Sequence, residues 1–189
     1  MSEPTNFIIS EVLQGGYSKP KIDLVVNYVG DDAERMTELM DCFFGADKRV
    51  SQIAAAGICY VAEKYPILVE PYLEKMLLLS RTPGIHNAIQ RNTMRILRDL
   101  TEIPASVEGL AADTAFKFLE NPSIPVTVRS FSMRVLYKIS KKEPDLKDEL
   151  KLIIETFLPN ETLPGFITTA NDILRLMEKE NLLKIKRNL

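Results

Sequence analysis

The sequence predicts an all-α fold: a right-handed α-α superhelix, or solenoid, of about four to five stacked helix pairs. Three observations predict it. Apolar residues recur at three- and four-residue spacing along almost the whole chain, and strict alternation is sustained nowhere. One pattern returns three times: Val50, Ala54, Ile58, Val61 and then Pro66; Ile89, Thr93, Leu97, Leu100 and then Pro104; Val128, Ser132, Leu136, Ile139 and then Pro144. Its step is about 39 residues, within the range of helix-pair repeats. Helix breakers punctuate the chain regularly, at Gly30, Gly45, Pro66, Pro83-Gly84, Pro104, Pro122, Pro144, Pro159 and Pro164-Gly165.

The elements follow in order. A short helix is expected over Asn6 to Gln14 and a second over Lys19 to Val29. Asp31 and Asp32, after Gly30, offer N-caps for the next helix. Four pairs come after: Ala33 to Phe44 with Lys48 to Tyr65, Pro66 to Ser80 with Ile85 to Leu100, Pro104 to Leu119 with Pro125 to Lys142, and Pro144 to Leu158 with Leu163 to Glu178. Pro66, Pro104 and Pro144 suit a first helical turn, where a missing N–H costs nothing. Each second helix carries a small residue at a matching position, namely Ala54, Thr93, Ser132 and Ala170, which lets helices approach closely. Four positions on stand Ile58, Leu97, Leu136 and Leu174, so each pair of residues shares one face. A single helix pair cannot bury that face, whereas stacked pairs share one continuous core.

Composition bounds the class. The chain has 189 residues, 46% of them hydrophobic and 26% charged, with a net charge of -2. That suits one globular domain over residues 1–189, with residues 1–30 as an N-terminal cap or degenerate repeat and 180–189 as a frayed tail. No stretch approaches the ~18–20 apolar residues of a membrane span. No basic segment precedes the short apolar run at the start, so a cytoplasmic protein is expected rather than a secreted one. The two cysteines, Cys42 and Cys59, lie inside apolar helical patterns and read as small buried hydrophobes. A sequence pI near 5.6 argues against a general nucleic-acid coat.

The stretch Phe118-Leu-Glu-Asn-Pro-Ser-Ile-Pro-Val-Thr-Val-Arg-Ser-Phe-Ser-Met-Arg-Val-Leu136 resembles the HEAT repeat, of the HEAT/armadillo-like helical repeats. In that family an acidic or amide residue ends one helix, a Val-Arg pair opens the next, and a small residue and a leucine follow. Asp47-Lys-Arg-Val50, with Ala54 and Ile58, is similar but weaker, and His86 to Leu97 weaker still. The similar units cover about Ala33 to Glu178. The family's repeat arginine is present only as Arg129; Ser51 and Gln90 stand at the equivalent positions, which puts a regular ladder of inter-repeat arginine–aspartate contacts in doubt. HEAT-like folds host scaffolds, transport receptors, regulatory subunits and a group of DNA alkylpurine glycosylases, so the fold alone does not choose a function.

Charge is segregated. The second helices carry bases: Lys48 and Arg49, then Arg91, Arg95 and Arg98, then Arg129, Arg134, Lys138, Lys141 and Lys142. The first helices lean acidic. The resemblance implies that second helices line a concave side, which makes Arg91, Arg95, Arg98, Arg129, Arg134 and Lys138 a candidate basic groove for an anion. The competing explanation is a solvated helix face laced with repeat-to-repeat salt bridges.

Catalytic signals are weak. His86 is the only histidine, and without cysteine or clustered carboxylate partners it makes no zinc site. Asp113 sits amid apolar residues, and the polar edge of an amphipathic helix explains it better than a perturbed acid does. Phosphate loops, nucleophile elbows and H-E-x-x-H motifs are absent. Neither a cofactor nor a metal is expected, and the sequence leans away from an enzyme. The leading reading is a non-enzymatic interaction module for a protein or peptide with an acidic surface. The alternative is a nucleic-acid-binding protein related in fold to the HEAT-like alkylpurine glycosylases. Those enzymes use tryptophans beside the lesion and a catalytic aspartate, and this chain has no tryptophan.

Overall fold

A computed structural model describes residues 7–187, with side chains to Leu183. Among these residues the structure is helical, with no strand. The helices are α1 (Ile9–Gln14), α2 (Lys19–Val29), α3 (Ala33–Phe44), α4 (Lys48–Lys64), α5 (Leu73–Ser80), α6 (Asn87–Asp99), α7 (Ala105–Glu120), α8 (Val126–Ile139), α9 (Pro144–Phe157) and α10 (Pro164–Arg187). The chain divides into two compact units, Met1–Leu100 and Thr101–Leu189.

In the first unit α4 is the central element, packing against α1, α2, α3 and α6. Its composition explains the role. Ala54, Ala55, Gly57 and Ala62 let neighbours close in, while Val50, Ile53, Ile58 and Val61 fill the space between them. Leu39 and Val25 reach Gly57 from α3 and α2, each within about van der Waals distance of where a Cβ would stand. Fully buried Met36, Leu39, Ile58, Leu73, Met76 and Leu77 complete this core, each such side chain contributing about 1.5–3 kcal/mol. In the second unit α8 has the same part, packing against α7, α9 and α10 around buried Val128, Met133, Leu136, Ile154 and Phe166.

Caps set the helix starts. The Asp32 carboxylate accepts from the N–H groups of Glu34 and Arg35, and Asp47 does the same for Arg49 and Val50. Pro144 takes the first position of α9. Pro104 and Pro125 stand just before α7 and α8, with extended ψ of 135° and 139°.

Two expected elements are corrected. The helix expected over Pro66 to Ser80 is two 3-10 turns, Pro66–Leu68 and Glu70–Tyr72, followed by the short α5. Pro71 is the cause, because a proline inside an α-helix lacks its N–H and its ring clashes with the carbonyl four residues back. The last helix, expected over Leu163 to Glu178, is longer: α10 continues to Arg187. Its run of Glu, Lys and Leu contains no breaker, and Glu180 is anchored by hydrogen bonds from Tyr137 and Lys147. Asn6 and residues 188–189 lie outside the described residues.

The small residues also fall as expected. Ala54, Thr93, Ser132 and Ala170 are all buried. The hydroxyls of Thr93 and Ser132 make no hydrogen bond among the described residues, so these side chains serve by size and not by polarity. Cys59 and Cys42 are free thiols. Burial pushes the Cys59 thiol up to about 12, and its S–H donates to the Asn92 carbonyl at 3.5 Å.

Candidate functional site

The six candidate groove residues fall three to each unit. In the first unit Arg91, Arg95 and Arg98 project from α6. Arg95 pairs with Glu63 of α4 and, at 3.7 Å, with Asp99 one turn on. Its guanidinium lies 5.1 Å from the centre of the Tyr60 ring, and Lys19 of α2 covers the same ring at 4.3 Å. Lys19 in turn pairs with Asp23. Arg98 makes a two-point contact with Asp99, at 2.6 and 2.8 Å. Across α2, α4 and α6 this face is therefore a ladder of alternating charge in which cations are matched by acids. Arg91 is exposed and has no ion pair among the described residues.

In the second unit Arg129 is corrected from a groove residue to a core residue. It is 2% exposed. Its Nε donates to the Leu119 carbonyl at 3.0 Å and its Nη1 to Glu161 at 2.8 Å. The guanidinium lies over Phe166 at 4.3 Å and Phe157 at 5.5 Å, and Nη2 has no hydrogen-bond acceptor among the described residues. Burial pushes the Glu161 carboxyl up, but the N–H of Leu163, the Arg129 guanidinium and the N–H of Thr162 together outweigh it and hold the carboxyl below its ordinary value. Arg129 thus spends its donors inward and cannot present charge to a partner.

Arg134 and Lys138 do come together. They line a cleft of about 330 Å³ with Tyr137, Lys141 and Lys142 of the α8 end, and with Thr101, Glu102, Ile103 and Glu108 of the α7 start. Arg134 holds Asp172 of α10 loosely, at 3.5 Å, and Lys142 holds Glu108 at 3.4 Å. Lys141 lies 5.2 Å from the Tyr137 ring centre. The lining carries four cations, Arg134, Lys138, Lys141 and Lys142, and two carboxylates, Glu102 and Glu108, while Asp172 and Glu180 of α10 meet Arg134 and Tyr137. Tyr137 donates its hydroxyl to Glu180; burial and that carboxylate push the phenol up, so it stays protonated. The loose pairs here are part-exposed, and such pairs contribute about 0–1 kcal/mol, so an incoming anion can displace them.

The other sequence candidates resolve simply. Asp113 is exposed and pairs with Lys117 one turn on, at 3.0 Å. His86 caps α6: its Nδ1 accepts the Ala88 N–H at 3.1 Å. No group of three or more His, Cys, Asp or Glu side chains among the described residues could hold a metal ion. No helix is long and apolar enough to cross a membrane, again among the described residues. Sequence reasoning named Lys141 and Lys142 as bases but did not place them with Arg134. It missed Glu161, Glu180 and Tyr137, which carry no local signal because their partners lie 32 to 43 residues away.

Helix pairs repeating about every 39 residues, packed through small side chains and cross-linked by side chains one repeat apart, define a helical-repeat fold. A family model described as the HEAT repeat domain matches residues 9–177, and the chain belongs to that family. No curated protein and no solved structure matches it significantly.

Proposed function

We propose that this HEAT-repeat protein is a non-enzymatic interaction module, and that the cleft between the start of α7 and the end of α8 holds an acidic segment of a protein partner. The observation that carries the reading is the gathering of Arg134, Lys138, Lys141 and Lys142 on the lining of one cleft. Overall acidity does not oppose it, because a local field depends on local charge. The first-unit arginines support it less, since Arg95 and Arg98 are matched by acids within their own unit.

Fluorescence anisotropy tests the reading, with a labelled Glu/Asp-rich peptide and a labelled DNA duplex titrated in parallel at low and near-physiological salt. The peptide is expected to bind at low salt and to weaken as exposed charges are screened. Lys141→Glu with Lys142→Glu, both exposed on the cleft, is expected to reduce peptide affinity at least about tenfold. The melting temperature stays nearly unchanged, since surface substitutions of this kind cost within about 0.5 kcal/mol. Peptide binding that ignores the double substitution overturns the reading. So does duplex binding that is tighter than peptide binding and falls steeply with salt, which would transfer the cleft to nucleic acid.

A further inference from the structure

The first unit holds a second, chemically different pocket, of about 230 Å³. Much of its wall is apolar, with Phe43 and Phe44 from the end of α3, Leu79 from α5, and Ile85 and Ile89 at the α6 start, and Gln52 of α4 also lines it. The two phenylalanines meet edge to face, with ring centres 4.8 Å apart. The Ser51 hydroxyl is turned away into a hydrogen bond with the Phe43 carbonyl. One rim is a tight turn, Thr82-Pro83-Gly84-Ile85, closed by the Ile85 N–H to the Thr82 carbonyl at 3.1 Å. Gly84 sits there at φ +74°, the conformation that a proline–glycine turn of this type requires. This turn sets Ile85 and His86 on the pocket's edge.

The rim carries donors and no acid. Lys48 lines the pocket, is exposed and has no ion pair among the described residues. His86 lines it too, and its Nδ1 is committed to the Ala88 N–H. The neutral ring therefore keeps its proton on Nε2, which is left as a donor. No Asp or Glu is among the lining residues, and the nearby Asp47 carboxylate is occupied in capping α4. The volume lies below the roughly 300–1,000 Å³ of sites that enclose drug-sized ligands. An apolar wall of that size with two donor-bearing side chains in its lining suits one hydrocarbon group bearing one anionic head.

We propose that this pocket binds a small apolar carboxylate, with an aromatic or branched hydrocarbon group against Phe44, Leu79 and Ile85 and its carboxylate at Lys48 and His86. Two sources share that chemistry: a free carboxylic acid, and the C-terminal residue of a peptide. The inference stands independently of the α7–α8 cleft.

Two-dimensional NMR on the full chain tests it with four probes: 3-phenylpropionate, its neutral amide, N-acetyl-Ala-Phe with a free carboxylate, and the same dipeptide amidated. The acids are expected to shift resonances of Phe43, Phe44, Ile85 and Ile89, and to bind at least about tenfold more tightly than their amides. Lys48→Gln removes one donor. His86→Asn removes the Nε2–H yet keeps a good N-cap, so the fold survives. Each is expected to erase most of the acid-over-amide preference. A dipeptide that binds more tightly than phenylpropionate assigns the pocket to peptide C-termini, and the reverse order to free acids. Equal binding of acid and amide overturns the proposal. So do shifts centred elsewhere, or no shift up to about 10 mM of any probe.

Discussion

One position of the repeat is filled differently in the two units. The fourth residue of α4, α6 and α8 is Ser51, Gln90 and Arg129 respectively. Each donates to a carbonyl in the last turn of the preceding helix: Ser51 to Phe43, Gln90 to Ser80, and Arg129 to Leu119. The last carbonyls of a helix have no intrahelical partner, so each second helix is pinned to its first by satisfying one. In the first unit the donor is neutral and its reach ends there. In the second it is a guanidinium, and its remaining length finds Glu161 and the faces of Phe157 and Phe166. The conserved element of the repeat is thus a donor in this slot, and the arginine is one way of supplying it. The position equivalent to these in α10 is Ile167, which has no side-chain donor, and in that unit Arg129 makes the tie through Glu161 instead.

The largest effect expected from this contrast is that of Arg129→Ala. It leaves the Leu119 carbonyl without this donor, leaves Glu161 only the N–H groups of Thr162 and Leu163, and opens space between two aromatic rings. Breaking a buried ion pair from one side costs about 3–5 kcal/mol. Urea denaturation should show that loss, and native-state hydrogen exchange should place it in the helices of the second unit. A cost below about 1 kcal/mol would reduce Arg129 to a surface pair in effect and remove the distinction between the units.

Gln90→Met makes the matching change in the first unit at nearly constant volume, and a smaller effect is expected. One neutral hydrogen bond is lost, worth about 0.5–1.5 kcal/mol. The substitution also removes Oε1 of Gln90, a buried acceptor with no partner among the described residues, which offsets part of that cost. The same denaturation assay checks it. A loss as large as that of Arg129→Ala would mean that the slot matters equally in both units and that its charge is incidental.

The slot shows what was legible in the sequence. Spacing and prolines located helices such as α2 and α3 to the residue, because amphipathic period and caps are local signals. Pro71 was equally local and still defeated the helix expected over Pro66 to Ser80. The family's arginine at position 129 was recognised, and so was its replacement by Ser51 and Gln90. That all three donate to a helix-end carbonyl needed coordinates, since a sequence gives a side chain's identity but not the direction it takes. The same limit explains the candidate groove. A basic second helix looks alike whether its arginines are buried like Arg129, matched like Arg95, or gathered on a cleft like Arg134 and Lys138. Only the acids one repeat away separate these cases. The apolar pocket was the least legible, for nothing in the spacing of Phe43 and Phe44 separates a pocket wall from ordinary core, and the sequence shows no partner for His86.

The smallest effect expected is one of pH, and it separates the two units without altering side-chain size. Glu161 has a folded-state pKa below its ordinary value. A carboxyl so depressed binds fewer protons folded than unfolded, so it stabilises the fold above the unfolded value near 4.5 and loses that contribution as pH falls through the folded value. Glu161→Gln should therefore be less stable than the wild type at neutral pH, and the gap between them should close progressively below about pH 4.5. Gln90→Met contains no titrating group in its slot, so its own gap from the wild type should stay constant over the same range. Thermal melts of the three proteins from pH 7 to pH 3 measure both gaps. A Glu161→Gln gap that persists at the acid end would mean that the ion pair with Arg129 contributes through shape and not through charge.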